Sequence, residues 1–361
     1  MKIFGFGSSL VSCYWNGAAT YYRGVYKNLA RRGHEVTFAE PDAYDRQAHR
    51  DAGDFFYAQS IVYRSPEDIG GLLQQARAAG LVVKHSGIGV DDALLEQRVL
   101  ECRSADTSVA FWDVDAPATL TRVEQDAGDP FRALIPEYDF IFTYGGGASV
   151  AERYRRLGAK NCHAIYNGLD PETHHPVAAD AGLACDLALV ANRLPDRERR
   201  IEQFFLRAAE LAPELAFLLG GEGWGTKRLP ANVRWLGHVP TGDHNRVNCS
   251  ARIVLNVNRD SMADAGFSPP TRIFEAAGAG ACVVTDAWTG VEQFFTPGEQ
   301  ILVASSAEDV VRHLRETSRE RTREVGAAMR ARALREHTYD RRARAVEGIV
   351  MAARAAAEVA A

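Results

Sequence analysis

Apolar residues follow two different periods along the chain. Short apolar runs such as Lys2–Phe6 predict buried strands, whereas stretches such as 18–32, where apolar side chains recur every third or fourth position, predict amphipathic helices. Gly33 marks the end of that first helix, because glycine readily adopts the left-handed conformation at C′. Strands that alternate with helices form parallel sheets covered on both faces, which predicts an α/β fold.

The alternation occurs twice, with a pause between the two series. In the first half, strands are predicted at Lys2–Phe6, 34–38, 56–63, 81–83, 108–112 and 138–143. In the second half, strands are predicted at Cys185–Val190, 215–219, 233–236, 253–257, 281–285 and 300–303. Polar residues 171–184 separate the series and predict a linker. Two such sheets place a cleft between the carboxyl ends of their strands.

Length and composition agree with two soluble domains. The chain has 361 residues, of which 46% are apolar, and this suffices for two cores. The net charge of −5 gives no support to a nucleic-acid partner, and no apolar run reaches the roughly 18–20 residues that span a membrane. Six scattered cysteines without a Cys-x-x-Cys pair argue against zinc or disulfide frameworks and predict reduced thiols in the cytoplasm.

Acidic and imidazole side chains follow strands of the first half. Asp113 and Asp115 end the strand at 108–112, and side chains at i and i+2 beyond a buried strand point the same way. One of them could orient or deprotonate an acceptor hydroxyl; alternatively, Asp115 caps the helix that follows Pro117. His85 ends another strand and is a candidate base near neutral pH, although an ordinary loop hydrogen bond explains it equally well.

Glycines occupy two strand-to-helix turns of the first half. Gly7 lies in the first turn, where glycine lets a phosphate or substrate approach the backbone. Leu10 stands where the dinucleotide-binding fingerprint requires a third glycine, which argues against NAD. Gly145 and Gly146 belong to a run of three glycines. A plain turn needs one, so the run predicts backbone N–H groups that face an anion or a sugar.

Two turns of the second half contain candidate donor-binding residues. Arg193 and Arg197 follow the first strand, ahead of a helix, where planar guanidinium groups suit a diphosphate. A surface ion pair with an acidic neighbour is the alternative. His238 and Val239 follow a later strand, where backbone groups could read the edge of a nucleobase, although an ordinary turn has the same pattern.

The most informative stretch is 264–280. Ser268 is predicted as the N-cap of a helix that presents free N–H groups to a diphosphate, with Thr271 and Arg272 at the same end. Glu275 lies one turn further on, where a carboxylate can accept hydrogen bonds from both ribose hydroxyls. A buried helix with an incidental glutamate is the alternative.

These motifs resemble a known family. The resemblance lies in the segments ANRLPDR, LLGGEGW, VRWLGHVP, ARIVLNVNRD and GFSPPTRIFEAAGAGACVVTD, in this order over Cys185–Arg344. They resemble the group 1 domain of glycosyltransferases with the GT-B fold, and more narrowly the branch that includes the CgeB-type spore-maturation proteins. The first half is similar mainly in FWDVDAPATL and YGGG. The resemblance implies two Rossmann-like, doubly wound domains that face each other across a cleft.

The resemblance also implies an activity and a domain plan. It implies a hexosyltransferase-type enzyme that moves a sugar from a nucleotide diphosphate sugar, with UDP favoured, to the hydroxyl of an acceptor. The acceptor domain would span 1–170 and the donor domain 185–337, joined by the linker 171–184. The final helix, 338–361, would cross back to the first domain.

Individual roles follow from the matched motifs. Glu275 would bind the ribose, and His238 and Val239 would flank the base. The implied diphosphate ligands are Arg193, Arg197 and Arg272. No cofactor and no metal are expected beyond the donor, because no Asp-x-Asp motif lies in a suitable loop; Asp113–Asp115 spells one, but in the acceptor domain.

One position departs from the family pattern. Many retaining relatives have a second glutamate eight positions before the one matched by Glu275, and Phe267 stands there in this chain. Retention and inversion of the sugar's configuration therefore both stay open. Two other functions also stay open, a nucleotide-sugar epimerase that uses the same fold and a nucleotide-sugar-binding protein without catalysis.

Overall fold

The strands lie in two parallel sheets, one in each of two units. The computed structural model describes residues 1–51, 53 and 55–360. One unit comprises Met1–Tyr166 together with the chain from Tyr339 onwards, and the other comprises Asn167–Thr338. Residues 171–184, predicted as a linker, lie in the second unit, where the Asp180 N–H donates to Ser250 Oγ over 2.8 Å.

The first unit contains a seven-stranded parallel sheet in the order β3-β2-β1-β4-β5-β6-β7. Its strands are β1 (Lys2–Phe6), β2 (Glu35–Pro41), β3 (Gln59–Tyr63), β4 (Leu81–His85), β5 (Ser108–Asp113), β6 (Phe140–Thr143) and β7 (Cys162–Ala164). Its first helices are α1 (Ala19–Arg31), α2 (Pro66–Ala76), α3 (Asp92–Arg98), α4 (Ala116–Gln125), α5 (Pro130–Leu134) and α6 (Gly147–Arg156). Short 3₁₀ helices cover Val99–Cys102 and Ile135–Glu137.

The second unit contains a six-stranded parallel sheet in the order β10-β9-β8-β11-β12-β13. Its strands are β8 (Cys185–Val190), β9 (Phe217–Gly220), β10 (Val233–Trp235), β11 (Ala251–Asn256), β12 (Val283–Asp286) and β13 (Leu302–Ala304). Its helices are α7 (Pro195–Ile201), α8 (Arg207–Leu211), α9 (His244–Ser250), α10 (Asp260–Ala265), α11 (Thr271–Ala279), α12 (Val291–Phe294), α13 (Ala307–Glu316) and α14 (Arg319–Glu336). A π-helical turn, Glu202–Leu206, joins α7 to α8, and 3₁₀ helices cover Ala181–Leu183 and Thr241–Asp243.

Each sheet is covered on both faces, as buried parallel strands require. Side chains along a strand alternate between the faces: Phe111 of β5 packs in one core of the first unit and Trp112 in the other. In the second unit, Leu187 and Ala188 of β8 likewise pack in two different cores, one on each face of the sheet. The predicted fold of two parallel-sheet α/β domains is therefore confirmed.

The bounds of β1 and β8 agree with the predicted bounds, whereas several short elements, among them β7 and α10, were not predicted. β7 has three residues at the edge of its sheet, too few to produce an apolar run. α10 has six residues and only Met262 buried, so it lacks the periodic apolar face of a longer helix. None of the described helices is both long enough and apolar enough to cross a membrane.

The last helix, α15 (Tyr339–Ala360), packs against α1 within the first unit. The contact depends on Gly24, because a Cβ at that position would lie 2.2 Å from Cδ2 of Tyr339. Tyr339 is 1% exposed and also makes an edge-to-face contact with Tyr21 at 6.0 Å between ring centroids.

We predict that Gly24→Ala lowers the free energy of unfolding by about 1–3 kcal/mol, because the added methyl group overlaps the Tyr339 ring. The matched control is Gly348→Ala in α15, where a Cβ meets no atom within 4 Å. Alanine there should stabilise the helix by about 0.5–1 kcal/mol. Urea unfolding of both variants measures the difference. Equal effects of the two substitutions would contradict the close packing of α1 against α15.

Candidate functional site

Glu275 lies beside two histidines in the second unit. It is 8% exposed on α11, and its Oε2 lies 3.5 Å from Nδ1 of His244, the first residue of α9. His174 adds a ring nitrogen, so that one potential ligand atom from each residue lies within 4.8 Å of the others. In the described part of the chain, these three residues form the one group of histidine, cysteine or acidic side chains that could hold a metal ion.

Packing of the loop before β8 brings His174 to α11. Asn245 Nδ2 donates to the Thr173 carbonyl oxygen over 2.9 Å, which ties the loop to α9. Gly278 lets the loop approach α11 closely, since a Cβ there would lie 2.5 Å from the His174 carbonyl oxygen. His174 is 2% exposed, and its Nε2 has no hydrogen-bond partner among the described residues.

The ring of His244 is oriented from its other side. Its Nε2 lies 3.3 Å from the carbonyl oxygen of Val239, which accepts hydrogen bonds only, so Nε2 carries a proton and Nδ1 faces Glu275. The imidazole of His244 therefore contacts two of the predicted donor-binding residues, Val239 and Glu275. His238, the other predicted base ligand, is exposed at the turn after β10.

The electrostatic environment keeps Glu275 ionised. Burial raises the pKa of Glu275, but the imidazoles of His174 and His244 and the guanidinium of Arg272 outweigh it and lower that pKa to about 2. Burial lowers the pKa of His244, yet Glu275 outweighs it and raises that pKa. For His174, burial dominates and the pKa is lowered. An ionised carboxylate accepts hydrogen bonds only, which suits a pair of hydroxyl donors.

Two predicted arginines lie at the carboxyl ends of the central strands. Arg272 Nε donates to the Val190 carbonyl oxygen over 2.7 Å, and its Nη1 donates to Asn256 Oδ1 over 3.1 Å. Val190 ends β8 and Asn256 ends β11, the neighbours at which the strand order reverses. Arg197 Nη2 donates to the Asn192 carbonyl oxygen over 2.8 Å, while its Nε is buried with no partner in the described chain. Ligands of open α/β sheets bind at such reversals.

The charges of these two arginines are incompletely compensated. Burial and the positive charge of Arg272 lower the pKa of Arg197 to about 9. Burial also lowers the pKa of Arg272, against the opposing effects of Glu275 and Asp286. Two half-buried guanidinium groups that repel each other would both be stabilised by a bound anion.

Arg193, by contrast, is paired within the protein. Its Nη2 donates to Glu198 Oε1 over 2.7 Å, and its Nη1 donates to Thr226 Oγ1 over 3.1 Å. Lys227 binds the same Oε1 of Glu198 over 3.0 Å. The alternative that the sequence left open, an ion pair with an acidic neighbour, is therefore present for Arg193 and differs from the arrangement at Arg197.

Ser268 does not cap α11, so the predicted N-cap of this helix is wrong. The helix begins at Thr271 with Pro270 at the N-cap, and Ser268 Oγ donates to the Gly266 carbonyl oxygen over 2.8 Å. The cause is the Pro269–Pro270 pair, because the residue before a proline is strongly disfavoured in helical backbone. Pro270 thus occupies the N-cap, where Ser268 was expected, and Thr271 is half-buried at the first helical position.

Asp113, a predicted catalytic acid or base, is completely buried in the first unit. It accepts hydrogen bonds from Ser86 Oγ over 2.8 Å, Thr119 Oγ1 over 3.1 Å and the Asp115 N–H over 3.0 Å, and another from the Tyr154 hydroxyl. Burial raises the pKa of Asp113, and these hydrogen bonds oppose that rise. The structure therefore gives Asp113 a loop-organising role, whereas Asp115 is half-buried at the N-cap position of α4.

His85, a predicted base, lies in an aromatic core. It is 1% exposed, with its ring centroid 4.4 Å from that of Tyr22 and 5.5 Å from that of Trp112, and its Nε2 is 2.7 Å from the Tyr26 hydroxyl oxygen. Burial, with the adjacent charge of Lys84, lowers its pKa well below the usual range. The structure thus places His85 in the core of the first unit, and its role as the base stays a prediction.

The glycines of the first unit have packing or backbone reasons. A Cβ at Gly7 would lie 2.2 Å from Cζ of Phe38. Gly146 has a φ of 82°, and a Cβ there would lie 1.9 Å from Cγ2 of Val150. Gly146 therefore has a backbone and a packing reason of its own, whereas the contact of the run beginning at Gly145 with an anion or a sugar stays a prediction.

The second half of the chain matches a known family in sequence. Residues 197–348 match the model of the family described as Glycosyl transferase-like. This range contains Glu275, Arg272 and Arg197. It begins after Met1–Tyr166, so that of the first unit it includes only the beginning of α15. None of the curated proteins matches the chain at a significant level.

Solved structures match nearly the whole chain. Sucrose-phosphate synthase from Thermosynechococcus elongatus is 14% identical over 99% of this chain and 100% of that one, with a TM-score of 0.68. Anabaena HepE in complex with UDP and glucose is 13% identical over 98% and 100%, with a TM-score of 0.70. The chain has the GT-B fold. The catalytic domain of starch synthase IV from Arabidopsis thaliana, bound to ADP and acarbose, has a TM-score of 0.71 at 12% identity over 98% and 99%.

We predict that Asp113→Asn lowers the free energy of unfolding by about 1–3 kcal/mol, because the amide loses the charge and one acceptor from a buried, four-donor site. Asp115→Asn is the matched control, and its effect should stay within about 0.5 kcal/mol because asparagine serves as well as aspartate at an N-cap. Chemical denaturation measures both. If Asp113→Asn were as mild as Asp115→Asn, the loop-organising role of Asp113 would be wrong.

Proposed function

We propose that the protein is a glycosyltransferase that moves a hexosyl group from a nucleotide diphosphate sugar, with UDP favoured, to an acceptor hydroxyl. The observation that carries the proposal is the group formed by Glu275, Arg272 and Arg197 at the strand-order reversal of the second sheet. The match of residues 197–348 to the Glycosyl transferase-like family supports it. So do the structural neighbours, among them HepE in complex with UDP and glucose.

Glu275 is proposed to hold the ribose. Its carboxylate is ionised and therefore accepts hydrogen bonds only, and its contact to His244 is 3.5 Å long, longer than a typical hydrogen bond. His244 fixes the carboxylate from one side, and its link to Val239 connects the ribose position to the turn proposed to contact the base.

Arg272 and Arg197 are proposed to bind the diphosphate. Arg272 is held by two neutral acceptors, so its charge stays available to a ligand. A buried guanidinium fork stabilises the charge that develops on the leaving diphosphate without reorganisation, which is how such sites accelerate group transfer. The reaction is proposed to need no metal or further cofactor, because two cations already supply this stabilisation.

The first unit is proposed to bind the acceptor. Asp115 lies at the carboxyl end of β5 and at the start of α4, and is the predicted carboxylate that retains some exposure. We propose that it positions the acceptor hydroxyl.

The six free cysteines support a cytoplasmic site of action, and the quoted motifs support the CgeB-like branch of the family.

We predict that Glu275→Gln weakens uridine and UDP binding by roughly 10- to 100-fold, because the ribose hydroxyls lose hydrogen bonds to a charged acceptor. Isothermal titration calorimetry against both ligands measures this. Glu292→Gln, an exposed position on α12, is the control and should bind like the wild type. Unchanged affinity in Glu275→Gln would contradict the ribose assignment.

We predict that Arg197→Gln weakens UDP binding roughly 10-fold or more and leaves uridine binding unchanged, because the diphosphate is the part of the donor that its guanidinium is proposed to contact. Arg193→Gln is the matched control and should retain wild-type affinity, since Glu198 already neutralises Arg193. The same calorimetric titrations measure both variants. Equal losses in the two variants would show that the arginines share a role.

Conversion of the donor sugar without an acceptor would favour an epimerase instead.

A further inference from the structure

The contact between Glu275 and His244 is longer than a typical charge-assisted hydrogen bond, and its length is the one expected between two ligands of a shared metal ion. Oε2 and Nδ1 are 3.5 Å apart, whereas charge-assisted N–H···O bonds measure about 2.7–2.9 Å. Two ligands on a tetrahedral zinc ion, with bonds of about 2.0–2.2 Å, are separated by about 3.3–3.6 Å. The two atoms are thus already spaced as a pair of zinc ligands.

The orientation of His244 fits metal coordination. A histidine that binds a metal through one nitrogen characteristically donates its other N–H to a carbonyl or carboxylate oxygen. His244 does so through Nε2, which faces the Val239 carbonyl oxygen at 3.3 Å. Nδ1 can therefore present its lone pair toward Glu275.

His174 supplies an independent sign of a ligand. Its side chain is 98% buried, and its Nε2 finds no hydrogen-bond partner among the described residues, an arrangement that costs stability unless something binds there. One nitrogen of this ring lies within 4.8 Å of both other ligand atoms, so the three side chains are near enough to share one ion. The site is reachable, because the side chains of His244 and Glu275 are 20% and 11% exposed.

We propose that His174, His244 and Glu275 bind one divalent ion of the zinc class, and that the bound ion blocks the ribose position on Glu275. Two imidazoles and one carboxylate suit Zn²⁺ or Co²⁺, whereas Mg²⁺ and Ca²⁺ prefer oxygen ligands alone. Binding releases to solvent the proton that His244 Nδ1 carries in its imidazolium form. The positive charge of Arg272 opposes the ion, which makes the site a reversible one. The blocking of ribose rests on the proposed function, whereas the metal site itself does not.

The first experiment titrates the full-length protein with Co²⁺ and follows the visible absorption of the bound ion, then displaces it with Zn²⁺. The wild type should bind one Co²⁺ without a thiolate charge-transfer band, since no cysteine belongs to the group. His174→Asn and His244→Asn should each weaken binding at least about 10-fold. The matched control, His175→Asn, changes an exposed neighbouring histidine and should bind like the wild type.

Two outcomes overturn the metal site: unchanged Co²⁺ affinity in His174→Asn, or a thiolate band in the wild type. Circular dichroism and thermal unfolding verify that each variant is folded. If a histidine variant fails to fold, Glu275→Gln provides the same test, because it removes the third ligand and must weaken Co²⁺ binding as well.

The second experiment tests the blocking of ribose with uridine, which lacks phosphate groups that would bind zinc themselves. Saturating Zn²⁺ should abolish uridine binding in the wild type and leave it intact in His174→Asn. If Zn²⁺ binds at the three residues and the affinity for uridine does not fall, the ion does not block the ribose position. That result overturns the blocking and the ribose assignment, and it supports the metal site. Uridine binding that depends on Glu275 but not on Zn²⁺, with no metal bound, overturns the metal site and supports the proposed function.

Discussion

The second unit is organised around a buried negative charge. An isolated carboxylate in a protein interior costs several kcal/mol, and its burial is tolerated when neighbouring groups compensate the charge. For Glu275 these neighbours are His174, His244 and Arg272, which come from a loop, from α9 and from the same helix. These interactions therefore hold the loop, α9 and α11 together. They also keep the carboxylate ionised, so that it can accept hydrogen bonds from further donors.

The two units treat their polar residues differently. In the first unit, Asp113 receives four hydrogen bonds, and His85, whose Nδ1 has no partner among the described residues, lies among aromatic rings where burial favours its neutral form. In the second unit, Arg197 keeps a buried nitrogen without a partner in the described chain, and Arg272 is bound only to neutral oxygens. Incomplete satisfaction of buried groups is typical of sites that bind ligands. The unpartnered Nε of Arg197 therefore supports the proposed binding of an anion in the second unit.

Much of the fold followed from the sequence because parallel strands buried on both faces are continuous apolar runs. This is why the bounds of β1 and β8 were correct. β7 was missed because three residues at a sheet edge carry no pattern. Within the site, the sequence singled out Glu275 and the arginines from their positions after strands and in α11. It missed His174 and His244, whose only signal is their proximity in the folded chain.

The sequence by itself determined the α/β class, the two series of strands and the residue types available at the strand ends, because these depend on local periodicity and composition. The tertiary structure decided which of those residues share a site. It paired Arg193 with Glu198, removed Asp113 and His85 into the interior, and brought His244 to Glu275. These outcomes depend on contacts between segments far apart in the chain, and such contacts leave no periodic trace in the sequence.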